Sequence, residues 1–168
     1  MARGWSCCPG TAEKTGFRET WSGERAGILA SDTGAAPSVL LRDPEIGLRG
    51  RPDYLLTEST AYASWIVPLE LKPHRRSRTL FESDAVQLGA YLMLSRAVYG
   101  ASAAPNGYVR YADVEFRVEL TTALEQQIRD LVAAIRAGRL AAVVHRSHRV
   151  AARCAGCAVR QYCNEALV

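Results

Sequence analysis

From Ser38 onward, apolar and polar positions alternate in short runs separated by turn residues, the signature of strands. Ser38-Val39-Leu40-Leu41 and Ile46-Gly47-Leu48-Arg49-Gly50-Arg51 flank Arg42-Asp43-Pro44-Glu45, which predicts a hairpin with proline at a favoured turn position. The run Asp53-Tyr54-Leu55-Leu56 predicts a strand, a polar turn is expected at Thr57-Glu58-Ser59-Thr60, and Trp65 to Lys72 predicts a third strand. Ser83 or Asp84 is a candidate cap for a helix over Ala85 to Val98, rich in helix formers and stopping near Gly100. Two more strands are expected, Tyr108-Val109-Arg110-Tyr111 after Asn106-Gly107 and the alternating stretch Val114 to Leu120, with a turn at Ala112-Asp113. Thr122-Ala123-Leu124-Glu125 has the spacing of a capping box, and Leu124, Ile128, Leu131 and Ile135 recur at helical period up to Gly138. The order strands, helix, strands, helix and a cysteine-bearing tail predicts a mixed α/β layout. Residues 1 to about 35, rich in Gly, Ser, Thr and charge, show little periodicity.

Composition adds the class. The chain has 168 residues, 48% hydrophobic and 23% charged, enough for one globular core without disulfides. No apolar run approaches the ~20 residues of a membrane span, and the start of the chain lacks the apolar stretch of a secretory signal, so a cytoplasmic protein is expected. Net charge is only +4, but it is unevenly placed. From Leu131 to Asn164 there are six arginines and no acid, and Lys72-Pro73-His74-Arg75-Arg76-Ser77-Arg78 forms a second basic cluster. Two such clusters favour a polyanionic partner, because neutralising phosphates releases counterions.

The candidate chemistry lies between those clusters. Glu70 and Lys72 are two apart on one predicted strand and share a face, with Leu71 turned the other way. If the preceding strand pairs with this one, Asp53 faces the same edge. Two carboxylates there are expected to bind a divalent cation, with the Leu71 carbonyl as a further oxygen ligand. Gln87 and Tyr91, four apart on the following helix, share a face suited to phosphate or base. The five cysteines are Cys7, Cys8, Cys154, Cys157 and Cys163, an odd number that argues against a disulfide framework. The spacing Cys154-x-x-Cys157-x5-Cys163 points to a metal, with a fourth ligand from Cys7 or Cys8, or from His145 or His148 in a zinc arrangement.

Gly50-Arg51-Pro52-Asp53, Glu70-Leu71-Lys72 and Gln87-Leu88-Gly89-Ala90-Tyr91, followed by the triple-cysteine tail, resemble RecB-like nucleases of the PD-(D/E)xK superfamily. Within it they are most similar to the CRISPR-associated iron–sulfur exonuclease family, over roughly residues 38 to 163. The resemblance implies a restriction-endonuclease-like α/β core, a mixed central sheet flanked by helices, with a C-terminal cysteine cluster. It divides the chain into an atypical segment at 1–35, a nuclease core at 36–140 and a basic iron–sulfur tail at 141–168. It implies a Mg2+- or Mn2+-dependent exonuclease on single-stranded DNA or overhangs, working beside the CRISPR integrase in spacer acquisition. Asp53 and Glu70 become metal ligands, Lys72 the catalytic lysine, and Gln87 and Tyr91 DNA contacts. Arg75, Arg76 and Arg78 are expected to hold the DNA backbone. Cys154, Cys157 and Cys163, with Cys8 or Cys7, would ligate a 4Fe–4S cluster, zinc being the alternative. The family's histidine upstream of the first acid has no counterpart before His74; Glu24 and Glu45 are the acids considered in its place. The competing readings are a catalytically silent DNA-binding subunit that guides a partner integrase, and a RecB-like repair or recombination nuclease outside CRISPR.

Overall fold

The computed structural model describes residues 36–37, 39–143, 145–146 and 148–167. The chain divides into two compact units, one ending at Val132 and the other beginning at Ala133.

The first unit opens with β1 (Ala36–Pro37) and a separate two-stranded hairpin, β2 (Leu41–Asp43) and β3 (Leu48–Gly50). The Asp43 carboxylate accepts the Glu45 and Ile46 N–H groups and so closes the predicted turn. Then come β4 (Tyr54–Ser59), β5 (Ser64–Lys72), α1 (Glu82–Tyr99), β6 (Asn106–Tyr111), β7 (Glu115–Glu119) and α2 (Thr122–Leu140), whose residues from Ala133 on belong to the second unit. Five strands form one mixed sheet in the order β1-β4-β5-β6-β7. All neighbours are antiparallel except β5 and β6, which run parallel because α1 carries the chain back between them. β5 lies in the middle of the sheet, and Val67, Pro68, Leu69 and Glu70 are buried in succession, as a strand covered on both faces requires.

Alternation sorts the side chains. Leu55 and Ile66 pack with Leu41, Leu94 and Tyr91 on the α1 side, whereas Leu56, Val67, Leu69 and Tyr108 cluster on the opposite face. Gly89 lets α2 approach α1 closely; a Cβ there would stand 2.8 Å from both Ile128 and Leu124.

Several boundaries differ from the sequence reading. β4 continues through Thr57, Glu58 and Ser59, and the turn falls at Thr60–Ala63, where the Thr60 hydroxyl accepts the Tyr62 and Ala63 N–H groups. Polar residues at 57–59 signal a half-exposed strand here, since Glu58 stands on the same face as buried Leu56. The cap of α2 is Thr121, whose hydroxyl accepts the Leu124 N–H, one residue before the expected box, and the helix runs past Gly138 to Leu140. α1 starts at Glu82 with Phe81 at its N-cap and no side-chain cap, so neither Ser83 nor Asp84 plays that part.

Of the second unit, α3 (Ala151–Ala155) and a 3-10 turn at Arg160–Tyr162 carry the cysteine-bearing segment. Among the described residues no helix is long and apolar enough to cross a membrane.

Candidate active site

The register of β4 and β5 builds the site. Tyr54 is the last residue paired, opposite Leu69, so Asp53 one step beyond sits opposite Glu70 on the α1 face of the sheet. The Leu71 N–H donates to Asp53 Oδ2 at 2.7 Å, which fixes the exposed aspartate to the strand that carries the glutamate.

Glu70 is 5% exposed. Its Oε1 accepts from Lys72 Nζ at 2.7 Å and from Gln87 Nε2 at 2.8 Å. Gln87 Oε1 in turn accepts from Lys72 Nζ at 3.0 Å, and Gln87 Nε2 also donates to the Tyr91 hydroxyl at 3.0 Å. The Gln87 amide therefore binds lysine, glutamate and tyrosine at once. Gly50 makes room for this chain: a Cβ there would lie 2.7 Å from the Tyr91 ring.

Among the described residues, the buried Glu70 Oε2 has no donor at hydrogen-bond distance. Burial is the main reason the Glu70 carboxyl is held above its usual range, opposed by the Lys72 hydrogen bond and reinforced by the charge of Asp53. Burial likewise raises the Tyr91 hydroxyl, against the hydrogen bond from Gln87. A buried carboxylate oxygen left bare beside a second carboxylate fits a cation as its missing partner. Among the described residues no three or more His, Cys, Asp or Glu side chains gather as an ion site, so a cation here would draw its remaining ligands from backbone, water or substrate.

The structure thus brings Asp53, Glu70, Lys72, Gln87 and Tyr91 into one cluster. The three arginines after Lys72 divide. Arg76 and Arg78 are exposed on the loop, whereas Arg75 Nη1 lies 2.9 Å from Asp84 Oδ2, and Asp84 is almost fully buried. Asp84 also accepts from the Tyr111 hydroxyl at 2.6 Å. The sequence reading missed this network, because an acid in the first turn of a helix was explained as a cap. Glu45 occupies the exposed β2–β3 turn.

In the second unit, Cys154 is buried, Cys157 and Cys163 are half-buried, and all three are free thiols. They line a single cavity of ≈ 20 Å³ together with Arg146, His148 and Arg160. His148 Nδ1 accepts the Val150 N–H, and His145 is instead paired with Glu165 at 2.6 Å. Cys7, Cys8 and Glu24 lie outside the described residues.

A mixed sheet flanked by helices, with two opposed carboxylates and a lysine on its central hairpin, defines a nuclease-type core. The chain belongs to the PD-(D/E)XK nuclease superfamily, whose model matches residues 9–164. Members of the superfamily are typically metal-dependent nucleases that use Mg2+ or Mn2+. A search of curated proteins finds no match.

Proposed function

We propose that this protein is a metal-dependent DNA exonuclease acting on single strands or overhangs, with Asp53 and Glu70 as metal ligands and Lys72 as the catalytic lysine. The observation that carries the reading is the bare, buried Glu70 Oε2 opposite Asp53, with the Lys72 ammonium 2.7 Å from the other oxygen of the same carboxylate. A bound Mg2+ or Mn2+ supplies an activated water and charge neutralisation at the scissile phosphate. Glu70 offers Oε2 to the ion while Gln87 and Lys72 occupy Oε1. Asp53 offers the carboxylate that Leu71 holds in place, and the Leu71 carbonyl is the further ligand proposed. The Lys72 side chain is 22% exposed, and in this reading its ammonium orients the water or stabilises negative charge on the phosphate. Gln87 fixes that ammonium through its carbonyl, so the helix that carries Tyr91 also aims the lysine.

For the tail we propose a 4Fe–4S cluster on Cys154, Cys157 and Cys163, with Cys8 or Cys7 as the fourth ligand. The support is the Cys154-x-x-Cys157-x5-Cys163 spacing and the one cavity that the three free thiols line; among the described residues alone they do not gather into a metal site. His148, which lines the same cavity, is the ligand of the zinc alternative. With such a cluster the protein fits the CRISPR-associated branch of the superfamily, trimming spacer precursors beside an integrase. Lys72→Ala is expected to abolish cleavage of 5′- and 3′-labelled single-stranded DNA by anaerobically purified protein in Mn2+, and EDTA is expected to do the same to the wild type. Cleavage by the variant at a near-normal rate sinks the mechanism. A wild-type protein that carries its cluster and binds DNA without cutting it supports instead the silent, partner-guiding subunit.

A further inference from the structure

The loop after Lys72 is braced more firmly than a solvated basic run requires. The Arg75 N–H donates to the Lys72 carbonyl at 3.0 Å, and the Ala112 N–H donates to the Arg75 carbonyl at 3.0 Å. Its guanidinium stands 2.9 Å from Asp84 and 5.0 Å over the centre of the Phe81 ring. Asp84 is 2% exposed, and burying that carboxylate is tolerable only because Arg75 and the Tyr111 hydroxyl both bind it. The same Tyr111 hydroxyl accepts the Phe81 N–H at 3.0 Å, and the two rings stand 6.0 Å apart. A cation and an aromatic ring are thus locked together, yet the Arg75 side chain stays 40% exposed and Phe81 46% exposed.

Their place is informative. Arg75 follows Lys72 by three residues, and Asp84 precedes Gln87 by three on α1, about 4.5 Å along the helix axis. A guanidinium has five N–H donors, so one taken by Asp84 leaves others for a phosphate. A planar ring beside it matches a base, and only an unpaired base has a free face to offer.

We propose that Arg75 and Phe81 form a nucleotide subsite for single-stranded nucleic acid beside the Asp53–Glu70 pair, Arg75 taking a backbone phosphate and Phe81 the face of an unpaired base. Asp84 and Tyr111 are positioning residues that hold the two in place. The proposal rests on the nuclease reading above and gives it a physical source of single-strand preference.

The test is binding rather than cleavage, in the full chain carrying Lys72→Ala. Fluorescence anisotropy measures the affinity for a labelled oligothymidylate and for an abasic deoxyribose-phosphate oligomer of the same length. Phe81→Ala is expected to weaken oligothymidylate binding by about 5- to 150-fold and to leave the abasic oligomer unchanged, with Phe81→Trp restoring affinity. Arg75→Ala is expected to weaken both and to lower the slope of log K against log salt by about 0.7. Melting curves establish that each variant is folded at the assay temperature. A Phe81→Ala effect equal on both oligomers, or absent on both, overturns the base contact; an unchanged salt slope in Arg75→Ala overturns the phosphate contact. Either result leaves the nuclease reading standing, whereas a Lys72→Ala protein that binds neither oligomer removes the subsite together with that reading.

Discussion

Gln87 holds the candidate site together at the level of single residues. One amide accepts from the lysine and donates to the glutamate and the tyrosine, so three roles assigned separately from sequence belong to one hydrogen-bonded unit. Its geometry depends on an absent side chain. A methyl group at Gly50 would stand 2.7 Å from Tyr91 Cε1, nearer than any real contact, so the ring must move and take its hydroxyl with it. Gly50→Ala is therefore expected to lower kcat about 10- to 100-fold, since small misplacements at a catalytic centre are costly. The accompanying loss of stability is about 1–3 kcal/mol, the usual cost of overpacking, and urea denaturation beside steady-state kinetics separates the two effects. Sequence gave no hint of this contact, because Gly50 and Tyr91 are forty-one positions apart.

Between elements, the pairing of β4 with β5 and the docking of α1 do the work. The period-two alternation of Trp65 to Lys72 was legible in the chain and correctly put Glu70 and Lys72 on one face. The turn at Thr57–Thr60 was misplaced because polar residues on a half-exposed strand look like loop residues until their neighbours are known. Glu125 shows the same limit. It is the fourth residue of an apparent capping box, yet its carboxylate bridges Arg96 of α1 at 2.7 Å and Arg129 of its own helix at 2.7 Å. Hydrogen bonds from Arg129 first and Arg96 second hold it below its ordinary value of 4.5. The stability this contributes is present above pH 4.5, where the unfolded chain is ionised, and is lost as pH falls through the lower folded value. Glu125→Gln is expected to destabilise the protein by about 1 kcal/mol at pH 7. The difference from wild type should shrink steadily below pH 4.5 in pH-dependent chemical denaturation.

At the scale of the whole molecule, the fold buries a carboxylate where its charge is disfavoured. Burial holds Glu70 in a range where ionisation is resisted, and among the described residues its Oε2 meets no donor at hydrogen-bond distance. A divalent ion that binds only the folded chain adds about 2.7 kcal/mol of stability at a hundred times its Kd. Thermal melting is therefore expected to shift upward with Mn2+ in the wild type and not in Glu70→Gln. The metal-free variant should melt no lower than the metal-free wild type, because it removes a charge that burial disfavours. A Mn2+ shift of equal size in both proteins would place the ion elsewhere.

The sequence by itself determined the order of elements, the mixed α/β class and the shared face of Glu70 and Lys72, because alternation and short-range spacing record which residues share a face. It also marked the three tail cysteines as a group; they line one cavity, but among the described residues they do not gather into a metal site. Only the tertiary structure decided that Asp53 stands opposite Glu70, that Gln87 locks Lys72, and that Asp84 belongs to Arg75 and Tyr111 instead of a helix cap. Each of these is a contact between elements distant along the chain. A residue's chemistry is written in its type, but its partner is set by strand register and helix docking, which depend on how all the apolar faces pack at once.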